Sequence, residues 1–202
     1  MASMGTPVRL TESQVMMAAI VLSRAFMEDA GMVYMIPDAV ERTRLLPPLF
    51  APLIRYAIAH GEAHTTENAE SVALWLPPGG STPANADMAS AGIGDANKQM
   101  GQEITGRMMN LSTHLETVHA ATMPEAHWRL YFLGVEPERQ GQGVGGALIQ
   151  PMLDRIAGAG ETCYLETLEA RTIPFYRRKG FRVINESDVP ESAVHSWAMR
   201  TG

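Results

Sequence analysis

Between residues 130 and 153 the chain reads LYFLGVEPERQGQGVGGALIQPML. An apolar run ending at Val135, a proline-bearing link, alternating glycines and then helix formers predict a strand, a loop and a helix in succession. Gly141, Gly143 and Gly145 allow several backbone N–H groups to converge on one point, and the helix that follows aims its positive end there. Such a loop suits a phosphate or pyrophosphate. Gly141-Gln-Gly143-Val-Gly145-Gly146 also satisfies the dinucleotide fingerprint G-x-G-x-x-G, with Glu166 placed where a ribose-binding acid would be wanted. Three features oppose a nicotinamide oxidoreductase. The link EPERQ separates Val135 from the first glycine, the fingerprint normally opens a long sheet whereas little chain follows Gly146, and Glu166 lies inside the next predicted strand. A P-loop is excluded because no Gly-Lys-Ser/Thr follows the glycines.

Outward from this stretch, residues 128–135 predict a strand, 144–159 a helix and 162–168 a further strand. IPFYRRKG (173–180) predicts a short helix stopped by Gly180, and 181–187 and 193–200 predict two final strands. Upstream, Thr11-Glu12-Ser13-Gln14 is a capping box opening an amphipathic helix over 12–29. A second helical pattern covers 38–60, where Pro47, Pro48 and Pro52 should kink or split it. Strands at 62–67 and 71–76 have hairpin spacing around Asn68-Ala69-Glu70, and Pro77-Pro78-Gly79-Gly80 ends the second. Residues 81–126 are the least regular part, an insertion with helical stretches that carries Met88, Met100, Met108, Met109 and Met123. Those methionines read as soft core packing or as an adaptable wall of a small-molecule site. The order predicts a mixed α/β fold in one domain over residues 1–202. Its N-terminal half is 1–126 and its C-terminal half 128–202.

Of 202 residues, 46% are hydrophobic and 19% charged, and the formal net charge is −6. That balance excludes disorder and argues against nucleic acid or an anionic membrane as partner. One cysteine, Cys163, rules out an internal disulfide and suits a reducing compartment; in a predicted strand it reads as a buried, inert thiol. No run reaches the length of a membrane span, and VMMAAIVL (15–22) follows a capping box rather than a basic leader. A cytoplasmic location is expected. The six histidines suggest no metal set, since His114 and His119 are not spaced as an i, i+4 pair.

The run Val135-x-Pro137-x-x-Gln140-Gly141-x-Gly143-x-Gly145, followed past the next strand by Phe175-Tyr176 and Gly180-Phe181, resembles the acetyl-CoA signature of the GNAT acyltransferases. The closest likeness within that family is to its puromycin N-acetyltransferase-like members, through Leu165-Glu166-Thr167, Pro174-Phe175-Tyr176 and Trp197-x-Met199; it points to that branch and not to puromycin. The resemblance implies a splayed, mostly antiparallel sheet flanked by helices. It also implies transfer of an acetyl group from acetyl-CoA, as cosubstrate and without a metal, to the amine of a small molecule, antibiotic-like or another xenobiotic. A monomer or homodimer would fit.

On this resemblance the backbone of Leu133, Gly134 and Val135 would hold the pantetheine arm, and an N–H at Val135 would stabilise the oxyanion. Gln140, Gly141, Gln142, Gly143, Val144, Gly145 and Gly146 would hold the pyrophosphate. Phe175 would pack against the cofactor, Arg178 in the cluster Arg177-Arg178-Lys179 would meet the 3′-phosphate, and Tyr176 would be the general acid. The glutamate that some members place on the strand before the loop is missing; Arg129, Leu130 and Tyr131 stand there. The base is left to Glu166 or to a carboxylate before residue 127. Glu169 and Thr172 replace the family's usual Asn and Ala. A CoA-binding sensor without catalysis is the alternative.

Overall fold

The computed structural model describes residues 6–80 and 85–202, so the expected domain's first five residues and the first four of the insertion lie outside the described residues. The strands are β1 (Pro7–Arg9), β2 (Glu62–Thr66), β3 (Ser71–Leu76), β4 (Trp128–Val135), β5 (Cys163–Thr167), β6 (Phe181–Asp188) and β7 (His195–Thr201). They form one seven-stranded sheet in the order β1-β2-β3-β4-β5-β7-β6. Every pairing is antiparallel except β4 with β5. β3 is buried along its whole length because helices cover both of its faces.

One face of the sheet carries α6 (Val144–Gly158), whose Leu148, Ile149, Met152, Leu153 and Ile156 pack with Leu130, Cys163, Leu165 and Met199. The other face carries α1 (Val15–Ala25), α2 (Ala30–Met35) and α3 (Ala39–His60), with Phe26, Phe50 and Phe132 in mutual ring contact at 5.4–5.7 Å. The capping box forms as expected: the Gln14 carboxamide oxygen accepts the Thr11 N–H at 3.0 Å.

The prolines do not split α3, which runs unbroken through Pro47, Pro48 and Pro52. A proline inside a helix costs about 3 kcal/mol. Leu45, Leu46, Leu49, Phe50, Leu53 and Ile54 are buried along this helix, and burial of such side chains contributes about 1.5–3 kcal/mol each. The packed stripe outweighs the lost hydrogen bonds. Arg42 adds a fastening that sequence did not suggest: buried, it donates to the carbonyls of Met27, Ile36 and Pro37 at 2.8–2.9 Å and so ties both ends of α2 to α3.

The insertion is also more regular than its composition implies. It forms α4 (Asn85–Ser90) and α5 (Ile93–Thr122), broken only where Gly101 turns to φ 74° and ψ 172°. Met100 and Met123 are buried and Met88 and Met108 pack against the core, whereas Met109 is exposed. Packing is the main use of these methionines. α5 lies across the α1–α3 side of the sheet and reaches β6 and β7, where His114 Nε2 meets the Ser187 and Ser196 hydroxyls at 3.1 and 3.2 Å.

Candidate active site

β4 and β5 pair through only two residue pairs, Trp128 with Cys163 and Arg129 with Tyr164. Beyond them the strands part. A bulge sharpens the parting: Leu74 faces Phe132 and Trp75 faces Leu130, which leaves Tyr131 as an extra residue on β4. The Glu136 N–H donates to Glu70 O at 2.9 Å, one step past the last pair of β3 and β4. In an antiparallel ladder bonded and non-bonded pairs alternate. Phe132 and Gly134 therefore spend their backbone groups on β3, while those of Leu133 and Val135 point into the gap. Consistently, the Val135 carbonyl is reached from that side by the Gln140 carboxamide at 3.1 Å. Gly134 also serves packing, since a Cβ there would lie 2.7 Å from Leu22 and 3.0 Å from Ala25; the glycine lets α1 sit close on the strand.

At the end of the gap the glycine loop turns the chain into α6. Gly141 and Gly143 have φ of +72° and +86°, conformations that side chains resist. The first helical hydrogen bond is Ala147 N–H to Gly143 O, so at the positive end of α6 the N–H groups of Val144, Gly145 and Gly146 have no partner among the described residues. Gly145 brings this turn against β4, with Val135 Cγ2 3.0 Å from where its Cβ would be. The side chains of Gln140 and Gln142 brace the loop: Gln142 donates to Glu138 O at 2.7 Å and accepts from Arg139 at 3.0 Å. Backbone donors, a helix end and an open strand edge thus surround one slot, which fits a pantetheine arm and a pyrophosphate.

α7 (Ile173–Arg178) closes the other side. Phe175 reaches the first turn of α6 and stacks edge-on with Tyr176, ring centroids 5.0 Å apart. Burial pushes the Tyr176 phenol well above its ordinary range, and the nearby Asp29 and Cys163 add to the effect. Arg178 lies exposed on the last turn of α7, but Lys179 does not: its ammonium donates to Gly146 O at 3.2 Å and Gln150 Oε1 at 2.7 Å, pinning α7 to α6. Cys163 is buried, and burial pushes its thiol up to about 12.

The opposite face of the parted strands is polar. Arg129, almost fully buried, grips both Glu166 oxygens at 2.9 and 3.2 Å and Glu116 Oε1 of α5 at 2.7 Å. Burial alone would lower its affinity for a proton; the two carboxylates more than offset that and hold it above the usual range. Its guanidinium also lies 5.3 Å from the Tyr131 ring centroid, and burial pushes that phenol up to about 12. Next to Glu116, His119 stacks on Tyr164 and meets His127 Nε2 at 2.7 Å. Because His127 Nδ1 faces the Glu125 carbonyl at 2.6 Å it must donate there, so its Nε2 accepts from His119.

Sequence reasoning missed the corner between α1 and α2. Asp29 caps α2, its Oδ1 accepting from the N–H groups of Gly31 and Met32 at 2.9 and 3.3 Å. Burial pushes its carboxyl up to about 6, against those hydrogen bonds. Glu169 reaches across from the end of β5 to accept the Ala30 N–H at 2.9 Å, and Thr172 donates to its carbonyl at 2.8 Å. The two departures from the family pattern thus fasten this corner. The aspartate before a helical stretch was the available signal, masked by a helix pattern running through residue 29. Among the described residues, no group of His, Cys, Asp and Glu is placed to hold a metal, and no helix is long and apolar enough to cross a membrane.

Residues 100–183 match the family model of the acetyltransferase (GNAT) domain. A mycothiol acetyltransferase of Mycolicibacterium vanbaalenii is 34% identical over 91 residues, 41% of this chain and 28% of that protein. The chain thus spans under a third of that relative's length. A solved structure of a histone acetyltransferase HPA2 and related acetyltransferase from Corynebacterium glutamicum superposes with a TM-score of 0.63 at 25% identity, over 98% of this chain and 95% of that one. A polyamine N-acetyltransferase of Drosophila melanogaster that forms N-acetylagmatine shares the fold, with a TM-score of 0.59 at 14% identity over 96% and 98% of the two chains.

Proposed function

From the match of residues 100–183 to the GNAT acetyltransferase domain model, we propose that the chain transfers the acetyl group of acetyl-CoA directly to the amine of a small molecule. The observation that carries this reading is the one-sided parting of β4 and β5 after Arg129, with the backbone groups of Leu133 and Val135 turned into the gap. The pantetheine arm adds to β4 there as an extra strand would, and the N–H groups of residues 141–146 take the pyrophosphate with the α6 dipole behind them. Arg178, exposed on the last turn of α7, is available to a 3′-phosphate.

The reaction needs a polarised thioester, a neutral amine and a proton for the departing thiolate. The Val135 N–H, freed from β3 by the register, is the oxyanion donor. Tyr176, at the motif position on α7, is the general acid for the nascent thiolate; burial keeps its phenol protonated but also makes it a weaker donor, so the developing negative charge on sulfur must draw the proton off. The acceptor enters from the polar face. Two acidic clusters mark this side, Glu116 and Glu166 about Arg129 and Asp29 and Glu169 beside Arg171, each with more carboxylates than cations, and that balance favours a cationic amine. The amines named for related folds support that class, agmatine among them.

Isothermal titration with acetyl-CoA, with NAD as control titrant, tests the slot. Free-thiol release with agmatine, spermidine and 2-phenylethylamine tests the chemistry. Micromolar binding of acetyl-CoA alone and turnover of at least one amine are expected. Tyr176→Phe should lower kcat about 100-fold at near-unchanged acetyl-CoA affinity. No binding of acetyl-CoA refutes the reading, and binding without turnover that Tyr176→Phe could reduce leaves only a sensor.

A further inference from the structure

An acceptor amine arrives as an ammonium ion, and a base must take its proton before nitrogen can attack. Two carboxylates stand at the α1–α2 corner, Asp29 and Glu169, and two more, Glu166 and Glu116, hold Arg129; three of the four have both oxygens engaged. Glu166 gives both to Arg129. Glu116 gives one to Arg129 and turns the other to His119. Glu169 gives one to the Ala30 N–H and one to Arg171. Asp29 differs. Its Oδ1 accepts from Gly31 and Met32, which fixes the carboxylate plane, while its Oδ2 accepts from no group among the described residues. It is also the carboxylate whose charge reaches Tyr176.

Resting on the N-acetyltransferase reading above, we infer that Asp29 is the general base, receiving the acceptor's proton on Oδ2 from a position fixed by its capping bonds. The step balances. Asp29 removes one proton from the ammonium; the neutral nitrogen attacks the thioester carbon and an N–C bond forms. The C–S bond then breaks, and Tyr176 gives its proton to the leaving sulfur. The second nitrogen proton returns through solvent to Tyr176, and Asp29 releases its own to bulk water. One amide, one free thiol and one proton result.

The surroundings suit the role. Burial pushes the carboxyl up to about 6, Glu169 pushes in the same direction, and Arg171 and the two capping N–H groups pull back. Tyr176 faces it from α7, neutral at working pH. A base poised near the operating pH is both ionised and able to hold a proton.

Asp29→Asn tests the inference without removing the cap, because asparagine serves as well at that position. With the fastest of the three amines above, kcat should fall about 100-fold or more, while KM for acetyl-CoA changes less than about two-fold. The rise of kcat through pH 6 should vanish. With 2,2,2-trifluoroethylamine, which is largely neutral at pH 7.5, the loss should shrink to about three-fold, an effect a merely structural role would not produce. An equal loss with both amines, or kcat kept within about three-fold with the pH 6 limb intact, overturns the inference while leaving the acetyltransferase reading in place. If acetyl-CoA binds but no amine turns over, the sensor reading stands and the inference falls with the chemistry it rests on. Failure to bind acetyl-CoA at all would overturn both.

Discussion

Removing the Glu166 side chain should unfold this protein more readily than its place beside a cleft suggests. Arg129 has a side-chain exposure of 3% and Glu166 of 9%, and both Glu166 oxygens accept from the guanidinium. Glu166→Ala removes the more buried of the two carboxylates; Glu116 of α5 is one-third exposed. Stranding a buried charge in this way costs about 3–5 kcal/mol. In a chain of this size each kcal/mol lowers the melting temperature by about 2–4 °C, so a drop of about 10 °C is expected. The paired replacement Arg129→Met with Glu166→Leu removes both charges and fills their volume, and should return most of the loss. Urea denaturation of the parent, both single variants and the double variant closes the cycle. A cost below about 1 kcal/mol for Glu166→Ala, or a double variant worse than the sum of its parts, would refute the buried clamp. The same series bears on chemistry. If Glu166 serves Arg129 and not the amine, Glu166→Gln should keep kcat within about ten-fold among folded molecules, well short of losing a general base.

Three further outcomes follow from the geometry. Gly134→Val should destabilise by about 1–3 kcal/mol, because its side chain meets Leu22 and Ala25; a variant as stable as the parent in urea would show that α1 can retreat. The native Cys163 thiol, buried and pushed up to about 12, should resist a thiol reagent at pH 8 and react promptly in urea; native labelling within minutes would contradict its burial. The carboxyl of Asp29 rises from 3.8 to about 6 on folding, so the folded state holds that proton more tightly than the unfolded chain. Its ionisation therefore adds no cost below about pH 4, costs stability increasingly as pH climbs towards 6 and levels off above, by about 3 kcal/mol in all. Asp29→Asn, which cannot ionise, should gain on the parent by up to that amount between pH 4 and pH 7; a difference constant with pH would refute the shift.

Local signals located the elements of the proposed cofactor slot closely. β4 occupies the expected 128–135 and α6 ends one residue short of the expected 159, because an apolar run, a glycine loop and a helical period are written in consecutive residues. β3 likewise falls on 71–76, bounded by turn residues. The acceptor side was not legible in the same way. Arg129 in the middle of WRLYFLGV read only as a departure from the family pattern. What makes it structural is Glu116, which lies thirteen residues upstream, and Glu166, thirty-seven downstream. Lys179 read as one of three basic residues at a helix end, and only the approach of α6 turns it into a brace. The continuity of α3 through its prolines depends on a core contributed by other elements.

The two sides differ because they answer to different physics. A pyrophosphate can be held by backbone N–H groups and a helix end, which need particular glycines but few particular side chains. A proton must be taken from an amine by one oxygen in one place, and that oxygen is positioned by groups from separate parts of the chain. Asp29 points where it does because Gly31 and Met32 hold Oδ1 from within α2, because Glu169 fastens Ala30 from the end of β5, and because Arg42 of α3 ties down Met27 and Ile36. Substitutions at Glu169 or Arg42 should therefore disturb turnover through the position of Asp29 while leaving acetyl-CoA binding, which is proposed to use none of those contacts, nearly intact. Glu169→Gln keeps the oxygen that accepts from Ala30 and should cost little; Glu169→Ala, which removes it, should lower kcat with KM for acetyl-CoA steady. Equal losses from both variants would show that the charge of Glu169, rather than its grip on α2, is what the corner requires.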